Sequence, residues 1–298
     1  MAKNPYDKAP FNYIGNKYRL LPKLMPLFPE SSTMVDLFCG GCDVVANFSA
    51  ETRYANDINS YVIEICEAFQ KYDIETLLAL IDKNIAKWGL TKTDKSAYDK
   101  ARKYYNEHPD PILLYTLVCF SFNYQFRFNS AHEYNNTFGK DRSSFNETMR
   151  QHLRAFKKNI DGVIFTKNDF HDFDYGVLKE GDFLYADPPY LITVGSYNDG
   201  KRGFKGWSAQ DDQDLFKVLD QLAERNVFFA MSNVFEHKGL KNEDLIHWQE
   251  EHGYHVKNMN YNYNNSNYQS QSKKYDTMEV LITNYPLKEE SDGCEEKK

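Results

Sequence analysis

The stretch from Thr33 to Asp57 constrains the fold most. TMVDLF (33–38) reads as a buried strand, Gly40 and Gly41 follow it, and Val44–Phe48 opens a helix. TRYAND (52–57) is then a short strand that ends in an acid. Strand, glycine turn, helix, strand and acid is the plan of a nucleotide-binding α/β sheet. The glycine turn also carries a C-x-x-C, Cys39 and Cys42. A redox pair would need a thioredoxin-type helix start that lowers a thiol pKa. A zinc site would need two more ligands, and neither Cys66 nor Cys119 has a partner at ligand spacing. The better reading is a turn at the carboxyl end of a strand, where a ligand approaches the backbone. The five cysteines (39, 42, 66, 119, 294) are odd in number and scattered, as free thiols of a reducing compartment would be.

From Ile58 to Lys158 apolar residues recur at helical spacing (Leu77, Leu78, Leu80, Ile81, Ile85, then Ile112–Phe122), with no clear strand. NYQFRFNSAHEYNNTFGKDRSSFN (123–146) interrupts these helices. Strand rhythm returns after Asn159: VIFTKNDF, FLYADPPY, a helix near Asp211–Arg225, VFFAMSNV, and an antiparallel pair, HVKNMNYNYN and TMEVLITNY. The expected architecture is an α/β, Rossmann-like sheet, mixed with its last strand antiparallel, carrying a mainly helical insert. Residues 1–60 and 159–287 form the sheet domain and 61–158 the insert. The tail 288–298, KEESDGCEEKK, has almost nothing to bury and reads as disordered.

A net charge of −7 argues by itself against nucleic acid as a partner. Its distribution argues otherwise. Residues 121–160 hold seven basic residues (127, 140, 142, 150, 154, 157, 158) against three acidic ones (133, 141, 147). Aromatic residues reach 15%, with 22 Tyr and 21 Phe, a supply suited to stacking on flat ligands or bases. No apolar run approaches the length of about 18 residues needed to span a bilayer. The start, MAKNPYDKAPFNYIGNK, lacks the apolar stretch of a signal peptide, so a cytoplasmic protein is expected.

The strongest chemical signal is Asp187-Pro188-Pro189-Tyr190, at the end of the apolar strand Phe183–Ala186. Two prolines stop the strand and stiffen the loop. They fix a carboxylate, the Pro188 carbonyl and an aromatic ring in one place. An exocyclic amine of adenine or cytosine is a poor nucleophile because its lone pair is delocalised into the ring. Two acceptors that hold both N–H groups favour a pyramidal nitrogen whose lone pair is free to attack. Tyr190 can stack on the base. Positioning and fixed dipoles then suffice, without a metal.

These motifs, in this order, resemble the Dam-like (alpha-group) DNA adenine N6-methyltransferases from about Phe11 to Tyr285. FNYIGNK (11–17) is similar to their N-terminal cofactor motif, VDLFCGGCDV (35–44) to their glycine turn and NDIN (56–59) to their acid-bearing second strand. KNDF (167–170) is similar to the third strand end and RFNSAHEYNNTFGK (127–140) to the target-recognition stretch. DPPY resembles the catalytic loop, and FAMSN (229–233) and YDTMEVLITN (275–284) the closing strands.

The resemblance implies site-specific methyl transfer from S-adenosylmethionine to a flipped adenine in duplex DNA. The insert would then be the target-recognition domain. Asp187, Pro188, Pro189 and Tyr190 would be catalytic. Tyr13, Gly15 and Lys17 would meet the methionine end of the cofactor, with Lys17 pairing its carboxylate. Asp36, Phe38, Gly40 and Gly41 would lie beneath it, Asp57 would hold the ribose hydroxyls, and Asp169 and Phe170 would border the adenine, with Asp187 also at this site. Asn123, Arg127, Asn129 and Asn135 offer donor–acceptor forks for base edges, and Lys140, Arg142, Lys157 and Lys158 offer cations for phosphates. No metal is implied. A cognate restriction endonuclease would be a natural partner in a bacterial or phage setting, and the chain would act as a monomer or weak dimer.

Plainer roles stay open at single positions: Lys17 also suits a solvated cation and Asp57 a helix cap. The chain departs from the family at Cys42, where the turn F-x-G-x-G has its last glycine. It also has Asn12, Gln125 and Thr137 where GATC-specific members carry Lys, Leu and Pro. The resemblance therefore implies adenine methylation without implying GATC as the site. Competing readings are a methyltransferase acting on RNA or a protein amide, and a non-catalytic DNA-binding protein on the same scaffold. A dinucleotide-dependent oxidoreductase would also use Asp57, but G-x-G-x-x-G is missing.

Overall fold

The computed structural model describes residues 4–193, 206–259 and 277–287. The tail read as disordered lies outside them, as does part of the stretch read as the last antiparallel pair. Among the described residues eight strands form one sheet: β1 (Thr33–Asp36), β2 (Thr52–Asn56), β3 (Val163–Thr166), β4 (Phe183–Ala186), β5 (Phe228–His237), β6 (Leu240–Lys241), β7 (His255–Asn258) and β8 (Thr277–Thr283). Their order is β3-β2-β1-β4-β5-β8-β7, with β6 on the end of β5. β1 to β5 pair in parallel, whereas β8 runs antiparallel to both β5 and β7. The mixed Rossmann-like sheet expected from the sequence is present. The order reverses at β1, whose neighbours β2 and β4 lie on opposite sides of it. In open α/β sheets such a switch point opens a crevice at the carboxyl ends of the strands.

The central strands β1 and β4 are apolar on both faces because helices cover both. Along β4, Phe183 and Tyr185 enter one apolar layer and Leu184 and Ala186 the other. Met34 and Val35 divide in the same way on β1, as the two-residue period of a strand requires. The second layer is filled by α7 (Ala209–Glu224) and α8 (Glu243–His252), through Leu215, Phe216, Leu219, Leu245 and Trp248. α7 starts at a capping box between Ser208 and Asp211, which satisfies backbone donors at its first turn. α8 is an addition to the elements expected from the sequence, because its segment is acid-rich and carries few apolar residues. Asn242 caps its start and Gly253, at φ +66°, ends it.

The first layer holds α1 (Leu21–Leu24), α2 (Ser60–Lys71), α3 (Ile74–Trp88), α4 (Lys95–Glu107), α5 (Pro111–Phe120) and α6 (Glu147–Asn159). Each helix from α2 to α6 is N-capped by an Asn or Asp side chain: Asn59, Asp73, Asp94, Asp110 and Asn146. α5 is apolar on all sides, and every residue from Ile112 to Phe120 is buried. It is the axis around which α2, α3 and α4 pack, and each fully buried Leu or Phe there contributes about 1.5–3 kcal/mol. The helices of the insert and this face of the sheet share one continuous apolar core. The helix expected at Val44–Phe48 is a single 3-10 turn, Val45–Asn47. The Asn47 side chain donates to the Asp43 carbonyl at 2.8 Å, the acceptor that a continuing α-helix would use for its own N–H.

Candidate active site

A cavity of about 730 Å³ opens at the carboxyl ends of β1, β2 and β4, where the strand order reverses. It is lined by Asp187, Pro188, Pro189 and Tyr190, and by Tyr13, Gly15, Lys17, Asp36, Phe38, Gly40, Gly41, Asp57, Asp169 and Phe170. The topology thus gathers residues more than 170 positions apart into one space.

At its centre lies a buried charged cluster. Lys17 Nζ stands 2.8 Å from Asp187 Oδ2 and 2.9 Å from the Tyr190 hydroxyl, and it donates to the Gly15 carbonyl at 3.4 Å. The Tyr190 hydroxyl is 2.8 Å from Asp187 Oδ1 and 3.2 Å from Glu279 Oε1. Glu279 Oε1 is also 3.6 Å from Lys17 Nζ. Lys17 is only 4% exposed and Glu279 only 2%. Glu279 stands in a closing strand, β8, outside the motifs that point to the other cluster residues. Its signal is an acid inside an apolar strand, MEVLIT, which a buried strand tolerates only with a partner. Burial pushes the Glu279 carboxyl up, opposed by Lys17 and reinforced by Asp187. Burial and Asp187 push the Tyr190 phenol well up, so it stays a neutral hydroxyl.

The glycine turn forms the floor. Gly40 has φ +46°, and a Cβ there would stand 2.9 Å from the Tyr13 ring, so only glycine lets Tyr13 lie on the turn. The Tyr13 hydroxyl accepts from Asn59 Nδ2 at 3.2 Å. Asp57, just beyond β2, accepts from Gly40 N and Asn59 N, each at 2.8 Å, and so fixes the turn against the start of α2. Asp36 Oδ2 accepts from Val45 N at 3.2 Å, while its buried Oδ1 has no hydrogen-bond partner among the described residues. Burial pushes this carboxyl well up, with Cys42, Asp187 and Asp57 adding to the effect.

Cys42 occupies the family's last turn glycine in the left-handed conformation that glycine favours, with φ +62°. Its Sγ lies 3.6 Å from Cys39 Sγ and 4.0 Å from Cys66 Sγ, and all three thiols are free and buried. Burial pushes Cys39 and Cys66 up, and contact with both draws Cys42 below them. Among the described residues no group of His, Cys, Asp and Glu side chains is arranged to hold a metal ion.

Past Asp57 the cavity is walled by rings. Phe38, Phe170 and Trp207 lie with centroids 5.4–5.7 Å apart. Trp207 escaped the sequence reading because no motif surrounds it. Its Nε1 donates to Asp212 at 2.7 Å, which locks the ring at the start of α7. Asp169 Oδ1 lies 2.6 Å from His171 Nδ1. Burial lowers the His171 pKa, but Asp169 and Asp214 outweigh it and hold the imidazole above its ordinary value.

Of the residues proposed to read DNA, Asn123 lines the cavity. Its carbonyl accepts from Asn12 Nδ2 at 3.2 Å, and Asn12 N donates to the Tyr124 carbonyl at 3.2 Å, joining the N-terminal motif to the insert. Residues 127–135 fold back on themselves: Asn135 N donates to the Arg127 carbonyl, and Phe128 and Tyr134 form an antiparallel bridge. Phe128 stacks on Tyr61 of α2 at 4.0 Å, which fixes this hairpin on the helical layer. Arg127, Lys140, Arg142 and Lys158 are exposed. The Asn129 amide is engaged within the hairpin, with Ala131 N, Glu133 N and the Glu133 carboxylate. The Asn135 side chain keeps a buried Oδ1 that has no hydrogen-bond partner among the described residues. Lys157 packs on the helical layer 4.0 Å from Asp161. Arg150 and Arg154 reach across to Asp82 and Glu75, pairing α6 with α3.

Sheet order and the cavity at its switch point fit a Rossmann-like methyltransferase fold. Residues 13–278 match the model of the D12 class N6 adenine-specific DNA methyltransferases, and the chain belongs to that family. It is similar to the Type II methyltransferase M.FokI of Planomicrobium okeanokoites, 43% identical over 285 residues, covering 95% of this chain and 43% of that one. It is also similar to the modification methylase StsI of Streptococcus sanguinis, 46% identical over 286 residues, covering 95% of this chain and 44% of the relative. A DNA adenine methylase of Haemophilus influenzae (strain ATCC 51907 / DSM 11121 / KW20 / Rd) is 25% identical over 235 residues, covering 74% of this chain and 77% of that one. The chain thus spans less than half the length of M.FokI or StsI. Among the described residues no helix is long and apolar enough to cross a membrane.

Proposed function

We propose that the chain is a site-specific DNA adenine N6-methyltransferase that uses S-adenosylmethionine and acts on an adenine flipped out of duplex DNA. The observation that carries this reading is the DPPY loop, with Asp187 and Tyr190 held on a buried lysine inside the cavity at the sheet's switch point. The cavity's residues fit the cofactor. The orphaned Asp36 Oδ1 suits its ammonium group, and the Gly40–Gly41 turn beneath Tyr13 suits a closely approaching ligand. Asp57 would hold the ribose hydroxyls, and Phe38, Phe170 and Trp207, with Asp169, the adenine. Lys17 would join the cofactor's carboxylate end to the transfer centre. When bound, the cofactor supplies an electrophilic sulfonium methyl group.

The chain's own residues then act on the target amine. Asp187 and the Pro188 carbonyl accept its two N–H groups and leave its lone pair free, and Tyr190 supports the base. Flipping costs a few kcal/mol, recovered in stacking and hydrogen bonds. Arg127 and Asn123 are proposed for base edges, and Lys140, Arg142 and Lys158 for phosphates. A cognate restriction endonuclease would fit such an activity.

The expected result is a calorimetric heat with S-adenosylmethionine or its demethylated product. Asp57→Ala should weaken that binding by about 1.5–3 kcal/mol, the range for a lost hydrogen bond to a charged group. Binding of NAD with no heat from either methyl-cofactor form would overturn the reading.

A further inference from the structure

Glu279 is the one member of the buried cluster for which methyl transfer as described has no use. It sits on β8 opposite Val234, where β5 changes register between Val234 and Glu236. Such bulges re-aim side chains. Glu279 lies on the same face of β8 as the buried Leu281. Its Oε1 stands 3.2 Å from the Tyr190 hydroxyl, and that hydroxyl stands 2.8 Å from Asp187 Oδ1. A phenol has one proton to donate and can also accept. The hydroxyl donates to one carboxylate at a time, so a continuous donor–acceptor chain from Asp187 through Tyr190 to Glu279, leading away from the position of the amine, is complete once Asp187 carries a proton. The other oxygen, Glu279 Oε2, is buried, has no hydrogen-bond partner among the described residues, and belongs to a side chain lining the cavity. A fully ionised Glu279 would leave that oxygen unsatisfied, an expensive arrangement unless the group is used.

The amine poses a matching problem. When its nitrogen gains a methyl group it carries one proton too many. We propose that Glu279 is the terminal proton acceptor of the reaction, taking through Tyr190 the proton that the methylated amine passes to Asp187. This rests on the methyltransferase reading above. The balance is simple. The N6–H bond breaks and an Asp187 O–H bond forms. That proton then moves to the Tyr190 oxygen while the phenol's own proton moves to Glu279. Tyr190 begins and ends neutral, Asp187 is restored as a carboxylate, and Glu279 ends as a carboxylic acid that loses its proton to solvent after product release. Lys17, 3.6 Å from Oε1, favours the ionised form of Glu279, the form that accepts. The charged or titratable groups around it are Lys17 from the N-terminal segment, Asp187 and Tyr190 from the loop after β4, Tyr185 of β4, and His237 of β5, which pairs with Thr277 at 2.8 Å. Burial holds the Glu279 carboxyl above its ordinary value, so it accepts only once the pH has risen through that value.

The test is single-turnover methyl transfer, at saturating S-adenosylmethionine and duplex, across pH in the wild type, Glu279→Gln and Glu279→Asp, with both dissociation constants measured alongside. In the wild type the rate should rise through an acid limb. Glu279→Gln should lose about 100-fold or more in rate, the scale of one acid–base group, and should lack that limb. Glu279→Asp should keep the limb and part of the rate, which separates proton acceptance from folding. Two results would overturn the proposal: an acid limb unchanged in Glu279→Gln, or a loss confined to cofactor affinity with a normal rate at saturation. A wild type that binds cofactor but transfers nothing would instead sink the methyltransferase reading, and the proton route with it.

Discussion

Asp187→Ala should lose methyl transfer by about 100-fold or more while the protein still folds and still binds duplex. The magnitude is that of removing one preorganised electrostatic contact at a reacting group. The carboxylate faces two ways: Oδ2 pairs with Lys17 and Oδ1 takes the Tyr190 hydroxyl. Its removal takes away the acceptor that orients the amine and frees the Tyr190 hydroxyl from that side. Folding should survive because Lys17 and Glu279 remain as a pair of opposite charges, 3.6 Å apart. The measurement is single-turnover transfer beside a thermal melt. A near-normal rate would remove Asp187 from the chemistry.

Lys17→Met should be the most destabilising single change in the site, at about 3–5 kcal/mol, the cost of breaking a buried pair and leaving its partners uncompensated. Without the ammonium, Asp187 and Glu279 face each other across the Tyr190 hydroxyl. Burial already raises the Glu279 carboxyl, and without the opposing ammonium it would hold its proton to still higher pH than in the unfolded chain. A folded pKa raised in this way costs stability above the ordinary carboxylate range and costs nothing well below it. The deficit should therefore be largest at alkaline pH and shrink as the pH falls. Adding Glu279→Gln should recover part of it, because one of the two opposed charges is gone. Urea denaturation of the two single variants and the double gives the coupling directly. A Lys17→Met protein as stable as the wild type would mean that the cluster is not held by this cation.

Asp187 is readable from the sequence because local chemistry announces it, with two prolines closing a four-residue apolar strand. Asp57 is readable in the same way, as an acid just beyond a second strand. The parallel order of β1, β2 and β4 then carries both to one end of the sheet, as any switch point would. Glu279 is not readable as a site residue. Its place beside Tyr190 depends on the antiparallel pairing of β8 with β5 and on the register change there, which are long-range events. Trp207 is hidden for a similar reason, since only the packing of α7 brings it to Phe38 and Phe170.

Composition misleads in the insert. Arg150 and Arg154 count toward a basic patch in the sequence, but folding spends them on Asp82 and Glu75 of α3. Asn129 likewise looks like a base-reading fork, but its amide is engaged inside the hairpin it helps to close. Spacing shows which side chains are available and does not show which of them the fold consumes. Cys42 is the opposite case. Where the family's turn has its last glycine, Cys42 takes the left-handed backbone that glycine favours, so the turn forms without it.

That the cavity methylates the exocyclic amine of adenine is the proposal on which the roles of these residues depend. Its most direct test is to incubate the purified chain with unmodified duplex DNA and S-adenosylmethionine carrying an isotopically labelled methyl group. The DNA is then digested to nucleosides, and mass spectrometry identifies the labelled one. The expected product is labelled N6-methyldeoxyadenosine, formed by the wild type and absent with Asp187→Ala. Label on cytosine, or no label on DNA from a protein shown to bind the cofactor, would contradict it.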